Sequence, residues 1–231
     1  MQPEILYQDA DVVVINKPAG LLVHPVKIST EPTLTAWLLE KFPEIRNVGD
    51  DPENRPGIVH RLDKATSGVM VIPRTQKAFE FIKNQFQKRT VKKTYIALVW
   101  GKVAQTSGLI DKPLAIKTGS TKRTTRIIGG KMVKEAKTAY RVKKLIGNFT
   151  LLEVEPLTGR THQIRAHLAS IGHPVVGDKI YGKKLPPEGL SRMFLHAESL
   201  EFTLPSGGRF KATADLPTEL NSALSALAKF L

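Results

Sequence analysis

The block His60-Arg61-Leu62-Asp63-Lys64-Ala65-Thr66-Ser67-Gly68 places one carboxylate, Asp63, among two cations and two hydroxyls. Nearby positive charge keeps a carboxylate ionised, and an ionised carboxylate works as a nucleophile or as a proton acceptor. The same residues also suit a polar turn in which Asp63 and Thr66 bond to local backbone. A second block, Thr158-Gly159-Arg160-Thr161-His162-Gln163-Ile164-Arg165-Ala166-His167-Leu168, crowds two arginines and two histidines at the start of an expected helix. Free N–H groups at such a start suit an anion. The plainer alternative is a solvated helix face, and this is the reading adopted for His162 and His167. Their HxxxxH spacing differs from the i, i+4 pair that shares a zinc ion, so no metal site is expected. A third block, His173 to Gly182, is rich in turn-forming Gly and Pro and reads as scaffold.

Several elements must position these blocks. Val12–Ile15 reads as a buried strand that ends in the turn residues Asn16-Lys17-Pro18-Ala19-Gly20. The spacing of Leu34, Trp37, Leu38 and Phe42 predicts a helix over 33–42, and that of Phe79, Ile82 and Phe86 another over 75–88. Short strands at 58–59 and 69–72 are expected to flank the Asp63 block as a rigid frame. Residues 93–100 alternate as a strand, with Tyr95, Ala97 and Val99 on one face. Residues 121–126 and 137–145 read as a basic, strand-rich excursion, and 149–154 as another strand. A helix over 161–171 carries Ile164, Leu168 and Ile171, with Arg165 at the edge of that stripe and Gly172 as its stop. Short strands from 193 to 212 and a closing helix over 217–231 complete the chain, the helix facing inward through Leu220, Leu224, Leu227 and Leu231. Strands outnumber helices without a βαβ rhythm, which predicts an α+β fold with a largely antiparallel sheet in a single domain over 1–231.

The formal net charge of +14 across 231 residues implies a polyanionic partner, nucleic acid before membrane surface. The excess is uneven. Residues 1–63 hold 6 basic and 10 acidic side chains, whereas Lys112 to Lys144 hold 11 basic residues and one acidic residue, Glu135. The absence of cysteine excludes disulfides, thiol nucleophiles and cysteine-bound zinc, and fits a cytoplasmic protein. No long apolar run marks a signal peptide or a membrane span.

HRLDKATSG, KKTYIALVWG (Lys92 to Gly101), GRTHQIRAHL (Gly159 to Leu168) and HPVVGDKIYG occur in this order, together with Asn16-Lys17-Pro18-Ala19-Gly20 and Lys134-Glu135-Ala136-Lys137-Thr138-Ala139-Tyr140. The set resembles the signature blocks of the RluA-type family of RNA pseudouridine synthases, and the resemblance runs from about Ile5 to Phe210. It implies the pseudouridine synthase fold, a mixed and mainly antiparallel sheet flanked by helices and loops. It also implies roles: Asp63 as catalytic carboxylate, Tyr95 stacked on the target base, Ile164 beside that base, and Arg165 as the basic partner of the aspartate. Arg61 matches an arginine linked to displacing the target nucleotide from its stack. Many members carry an S4-like domain ahead of the catalytic pattern, and none is expected here.

The implied reaction breaks the N1–C1′ bond of uridine, rotates the uracil and rejoins it through C5. Nothing is oxidised and no group is imported, so no cofactor is expected. Nor does the chain contain a phosphate-binding loop, a dinucleotide fingerprint or HExxH. Asp63 either adds to C1′ or removes a ribose proton. Two rival readings share the charge pattern or the carboxylate: a non-catalytic RNA-binding protein, and a glycoside hydrolase using Asp178 as a second carboxylate. The expected partner is RNA, ribosomal before transfer, bound by a monomer through Lys122, Arg123, Arg126, Lys131 and Arg160, with Lys134 and Lys137 on the same excursion. Gripping of a single-stranded backbone predicts that the logarithm of affinity falls against that of salt with a slope of about −0.7 per phosphate contacted. Filter binding between low and high salt measures it, and a flat response removes the assignment.

Overall fold

The computed structural model describes residues 2–25, 30–116, 122–125, 127, 131–182 and 184–229. Strands β1 (Glu4–Gln8) and β2 (Val12–Lys17) lead into helix α1 (Leu34–Lys41) and a 3₁₀ turn, Pro43–Asn47. Strand β3 (Ser67–Pro73), helix α2 (Gln76–Gln87) and strands β4 (Lys92–Trp100), β5 (Ser107–Asp111) and β6 (Leu114–Ile116) follow. After them come β7 (Arg123–Thr124), β8 (Lys131–Lys134), β9 (Lys137–Ile146) and β10 (Phe149–Pro156). Helix α3 (Gln163–Ser170), strands β11 (Leu195–Thr203) and β12 (Arg209–Thr213), and helix α4 (Thr218–Lys229) end the chain. The class is α+β, as expected. The chain divides into two compact units, Met1–Lys93 with Ala197–Ala214, and Thr94–His196 with Asp215–Leu231.

In the first unit the strand order is β1-β2-β3-β11, with β12 paired to β11. β2 pairs antiparallel with β1 and β3, in a register that sets Val13 opposite Ile72 and Lys17 opposite Gly68. Every residue of β3 is buried, as its continuous apolar run requires. Val12, Val14, Val69 and Val71 pack with Ala78 and Ile82 of α2 and with Leu200 and Phe202 of β11. Thr33 and Thr75 cap α1 and α2 by accepting the N–H of Ala36 and Ala78. Both therefore stand just outside helices in which the sequence pattern had included them. Residues 58–59 form no strand, so the Asp63 block is framed by β3 on one side only.

Gly68, the second residue of β3, adopts φ +123, and a Cβ there would lie 2.1 Å from the Ala197 carbonyl oxygen. Only glycine fits that close backbone approach.

In the second unit the order is β4-β10-β9-β5, all antiparallel, and a separate three-stranded sheet runs β7-β6-β8. Ile96 and Leu98 pack with Ile146, Val176 and Phe194 and with Leu220 and Ala223 of α4. Of the basic excursion, 137–145 lies in β9 of the larger sheet, whereas among the described residues of the expected strand over 121–126, Arg123–Thr124 form β7 of the small sheet. Arg126 and Leu231 lie outside the described residues. α3 begins at Gln163, two residues later than the pattern predicts, because His162 adopts the left-handed conformation with φ 56. That conformation cannot continue a right-handed helix.

His60 stacks on Phe86 of α2, with ring centroids 4.7 Å apart, and its Nε2 accepts the Val71 N–H at 3.0 Å. Desolvation, aided by the nearby Lys93 charge, pushes its pKa down to about 3 from 6.5. The unfolded chain then binds one more proton than the folded chain between those values, so this residue costs stability as pH falls through that window, by about 1.4 kcal/mol per pH unit. Chemical denaturation at pH 4 and pH 7 should show the slope. His60→Gln, which keeps an acceptor for Val71, should flatten it by one proton's share.

Candidate active site

The Asp63 loop is held by a lysine. Lys17, the last residue of β2, is fully buried. Its Nζ donates to the carbonyls of Pro18 at 2.8 Å, Leu21 at 3.0 Å and Lys64 at 3.4 Å. A buried ammonium is tolerated only with such partners. The Lys64 carbonyl also accepts the Gly20 N–H at 2.7 Å, and the Asp63 carbonyl accepts the Thr66 N–H at 3.0 Å. Asn16–Gly20 and the Asp63 block are thereby fastened to each other one residue beyond Asp63. Leu62 is buried, whereas Asp63 is half-buried and Arg61 exposed. A side-chain nitrogen of Arg61, Nη1, lies 3.1 Å from Nε2 of His24.

The second unit places Tyr95 on β4, opposite Val154 of β10, and half-buried. Ile164 and Arg165 lie near the start of α3, both buried. The turn between β10 and α3 closes on Gln163. Its Oε1 accepts the Thr158 hydroxyl at 2.6 Å and the Arg160 N–H at 3.0 Å. Its Nε2 donates to the Lys137 carbonyl at 2.9 Å and to Thr138 Oγ1 at 3.0 Å. All four hydrogen-bonding positions of this amide are used, which fixes α3 against β9. His167 extends the chain. Its Nε2 faces the Lys112 carbonyl at 2.8 Å and must carry the proton, so Nδ1 accepts from Thr138 Oγ1 at 2.9 Å. His167 is fully buried, and desolvation, with the Lys112 charge, lowers its pKa. The solvated-face reading of His167 is therefore corrected: the ring is a neutral strut inside the fold.

Arg165 is gripped by Asp178. Nε donates to Oδ2 at 2.7 Å and Nη2 to Oδ1 at 2.8 Å, a two-pronged pair with side-chain exposures of 7% and 0%. Oδ1 also accepts the N–H groups of Ile180 at 2.8 Å and Tyr181 at 3.1 Å. Burial alone would raise the pKa of Asp178. The hydrogen bonds and charge of Arg165, with those two N–H groups, outweigh it and hold the carboxyl below the usual range. The third sequence block is thus more than scaffold. A carboxylate held ionised in this way is unsuited to the general-acid role that the hydrolase reading asks of a second carboxylate.

Tyr181 gathers the surrounding groups. The guanidinium carbon of Arg165 lies 5.3 Å from its ring centroid and Lys122 Nζ 4.7 Å from it. Its hydroxyl accepts the Arg123 N–H at 2.9 Å and lies 3.3 Å from His162 Nδ1. Of the residues expected to track a phosphate backbone, Lys122 donates to the Ile180 carbonyl at 2.5 Å and Arg160 to the Glu135 carbonyl at 3.1 Å. Lys131 and Lys134 stand exposed on β8, and Lys137 pairs with Asp111 at 2.9 Å. Lys17 and Tyr181 were not singled out from the sequence, and Asp178 was named there only as the second carboxylate of the hydrolase reading. The position of Lys17 inside the quoted NKPAG block, next to an apolar strand, was the one available signal for it.

The first unit thus holds the Asp63 loop on a buried lysine, and the second holds a desolvated, carboxylate-gripped arginine at the base of a basic sheet. The family described as RNA pseudouridylate synthase matches residues 11–170, more than two thirds of the chain. This chain belongs to that family. It is 40% identical over 232 residues to a ribosomal large subunit pseudouridine synthase D of Nitrosomonas europaea, covering 97% of this chain and 65% of that one. It is 43% identical over 213 residues to an RNA pseudouridine synthase of Chloroflexus aurantiacus titled uncharacterized, covering 92% of this chain and 65% of that one. Human RNA Pseudouridylate Synthase Domain Containing 1 superposes with a TM-score of 0.77 at 26% identity, covering 96% of this chain and 87% of its own. The chain spans 65% to 66% of the length of the first curated relatives that it matches.

Breaking a buried ion pair from one side leaves a charge uncompensated, at about 3 kcal/mol or more. Arg165→Met and Asp178→Asn should therefore each lower unfolding free energy by about that amount. The double variant should cost little more than either alone, because the two changes remove one shared interaction. Additive losses in denaturant titrations would show that the pair is not coupled.

Proposed function

We propose that this protein isomerises uridine to pseudouridine within an RNA chain, with residues 1–231 acting as one catalytic domain. The observation that carries the reading is Asp63 itself: a half-buried carboxylate inside the family-matched residues, on a loop fastened by Lys17 and Gly20 through the Lys64 carbonyl. A sugar C1′ that loses a base develops positive charge, and a positioned carboxylate meets it. Asp63 either forms a bond to C1′ as N1 leaves or takes a ribose proton to give a glycal. In both routes uracil turns and bonds to C1′ through C5, as the Asp63–C1′ bond breaks in the first and the ribose regains its proton in the second; C5 then gives up its proton and N1 gains one, so the product is an isomer of the substrate.

The remaining roles follow the resemblance. Extruding the target base from its stack costs roughly a few kcal/mol. Arg61 enters the vacated place, Tyr95 stacks on the uracil for about 1–3 kcal/mol, and Ile164 packs beside it. Arg165, kept charged and oriented by Asp178, is the residue that the resemblance assigns as basic partner of the catalytic carboxylate. Lys122, Arg123, Lys131 and Arg160 supply positive charge towards the backbone, with Arg126 in the same run of sequence. Relatives titled for the ribosomal large subunit support ribosomal RNA as substrate, and the absence of cysteine fits an enzyme working in the cytoplasm.

Pseudouridine mapping of total RNA from a strain lacking the native gene tests this reading. Complementation with the wild type should restore at least one site, and Asp63→Ala should restore none. Tyr95→Phe should keep stacking, while Tyr95→Ala should lose the ~1–3 kcal/mol of base contact as weaker turnover. Equal maps for wild type and Asp63→Ala would favour a non-catalytic RNA-binding protein.

A further inference from the structure

His24 is buried in the first unit, 6% exposed. Its backbone is set by α1: the Leu22 carbonyl accepts the Leu34 N–H at 2.7 Å and the Val23 carbonyl the Thr35 N–H at 3.0 Å. The ring lies between two partners, with Nδ1 3.1 Å from the Pro25 carbonyl and Nε2 3.1 Å from Arg61 Nη1. Both partners dictate the proton's place. A carbonyl only accepts, so Nδ1 carries the hydrogen; a guanidinium only donates, so Nε2 carries a lone pair. The ring is the neutral Nδ1–H tautomer, and the exposed arginine is tied to a buried, pre-set acceptor.

We propose that His24 is a positioning residue for Arg61, holding the guanidinium in a preset orientation for insertion into the RNA stack. The proposal rests on the synthase reading for the role of Arg61. Its chemistry is reciprocal. Protonated His24 would offer Arg61 a donor in place of an acceptor and add a like charge beside it, so the arrangement exists only with the ring neutral. The groups facing the ring agree: burial first, then Arg61 and Arg55, disfavour the imidazolium, while the Pro25 carbonyl and Asp51 favour it, and the balance lowers the pKa below the ordinary 6.5. The arrangement therefore persists through neutral pH and fails only on acidification below the ordinary histidine range.

The first test is independent of turnover. Long-range ¹H–¹⁵N spectra of the full chain should show His24 as the Nδ1–H tautomer. Arg61→Ala should raise its pKa, because a cation beside the ring has been removed. A ring in the Nε2–H tautomer, or a pKa unmoved by Arg61→Ala, overturns the proposal. The second test reads function on two probes: an RNA stem–loop carrying a uridine found by the mapping, and a single strand with the same flanking sequence. His24→Ala should lower kcat/KM about tenfold on the stem–loop, the worth of one hydrogen bond to a charged group. It should do little on the single strand, where no stack needs displacing. It should add nothing once Arg61 is alanine. His24→Gln places an amide oxygen near Nε2, so it should restore activity and abolish the loss at acid pH. Equal losses on both probes, or a further loss in the Arg61→Ala background, would mark His24 as merely structural. A wild type inactive on both probes counts against the synthase reading instead, and the spectra still decide the His24–Arg61 arrangement.

Discussion

An ammonium group taken out of water must be surrounded by oxygen, and the first unit is organised by that demand at Lys17. β2 runs into the core and ends on this lysine, where an apolar side chain would have been easier to bury. Its nitrogen donates to backbone carbonyls drawn in from two segments, Pro18–Leu21 and Lys64. The demand is met by folding the NKPAG turn over the loop that follows Asp63, and Gly20, at φ +88, adds its own N–H to the Lys64 carbonyl. A loop that exposes Arg61 and Lys64 gains rigidity in this way. Rigidity is what a carboxylate acting at a defined sugar carbon needs.

The second unit meets the same demand with side chains. Arg165 and Asp178 neutralise each other below the surface, and Oδ1 of the carboxylate also accepts the Ile180 and Tyr181 N–H groups. Around them every polar atom of the Gln163 amide is matched, and the chain Lys112–His167–Thr138–Gln163–Thr158 links α3 to β9 and to the turn after β10. Fully connected polar networks of this kind hold a unique arrangement, because each broken link strands a buried donor or acceptor. The left-handed His162 belongs to the same construction. It stops the helix from starting early and turns its imidazole towards Tyr181.

Tyr181 joins this buried network to the basic sheet. Its ring lies near the cations of Arg165 and Lys122, and its hydroxyl receives the backbone of Arg123. The surface proposed to meet phosphates and the arginine proposed to serve the chemistry thus share one aromatic side chain. The charge of the basic excursion is correspondingly partitioned. Lys122 is turned to a protein carbonyl and Lys137 to a carboxylate, while Lys131 and Lys134 face solvent on β8.

Periodicity and end signals were enough to locate α1, α2, α4, β3, β4 and β10 in the sequence to within a few residues, since each buries a stripe or a run that its own residues spell out. Gly172 marked the end of α3, and the ordered blocks around Asp63, Tyr95 and Arg165 placed the chain in its family. Local pattern could not show that residues 58–59 would stay irregular, that His162 would turn left-handed, or that His167 would be buried and neutral. Still less could it show that Lys17, a surface residue by type, would lie wholly inside, or that Asp178 would be the carboxylate gripping Arg165. Those facts depend on partners 13 to 55 residues away in the chain: Asp178 for Arg165, Lys64 for Lys17, Lys112 for His167. A residue's type and neighbours determine what it can bond to; only the folded chain decides which distant carbonyl or carboxylate arrives within reach.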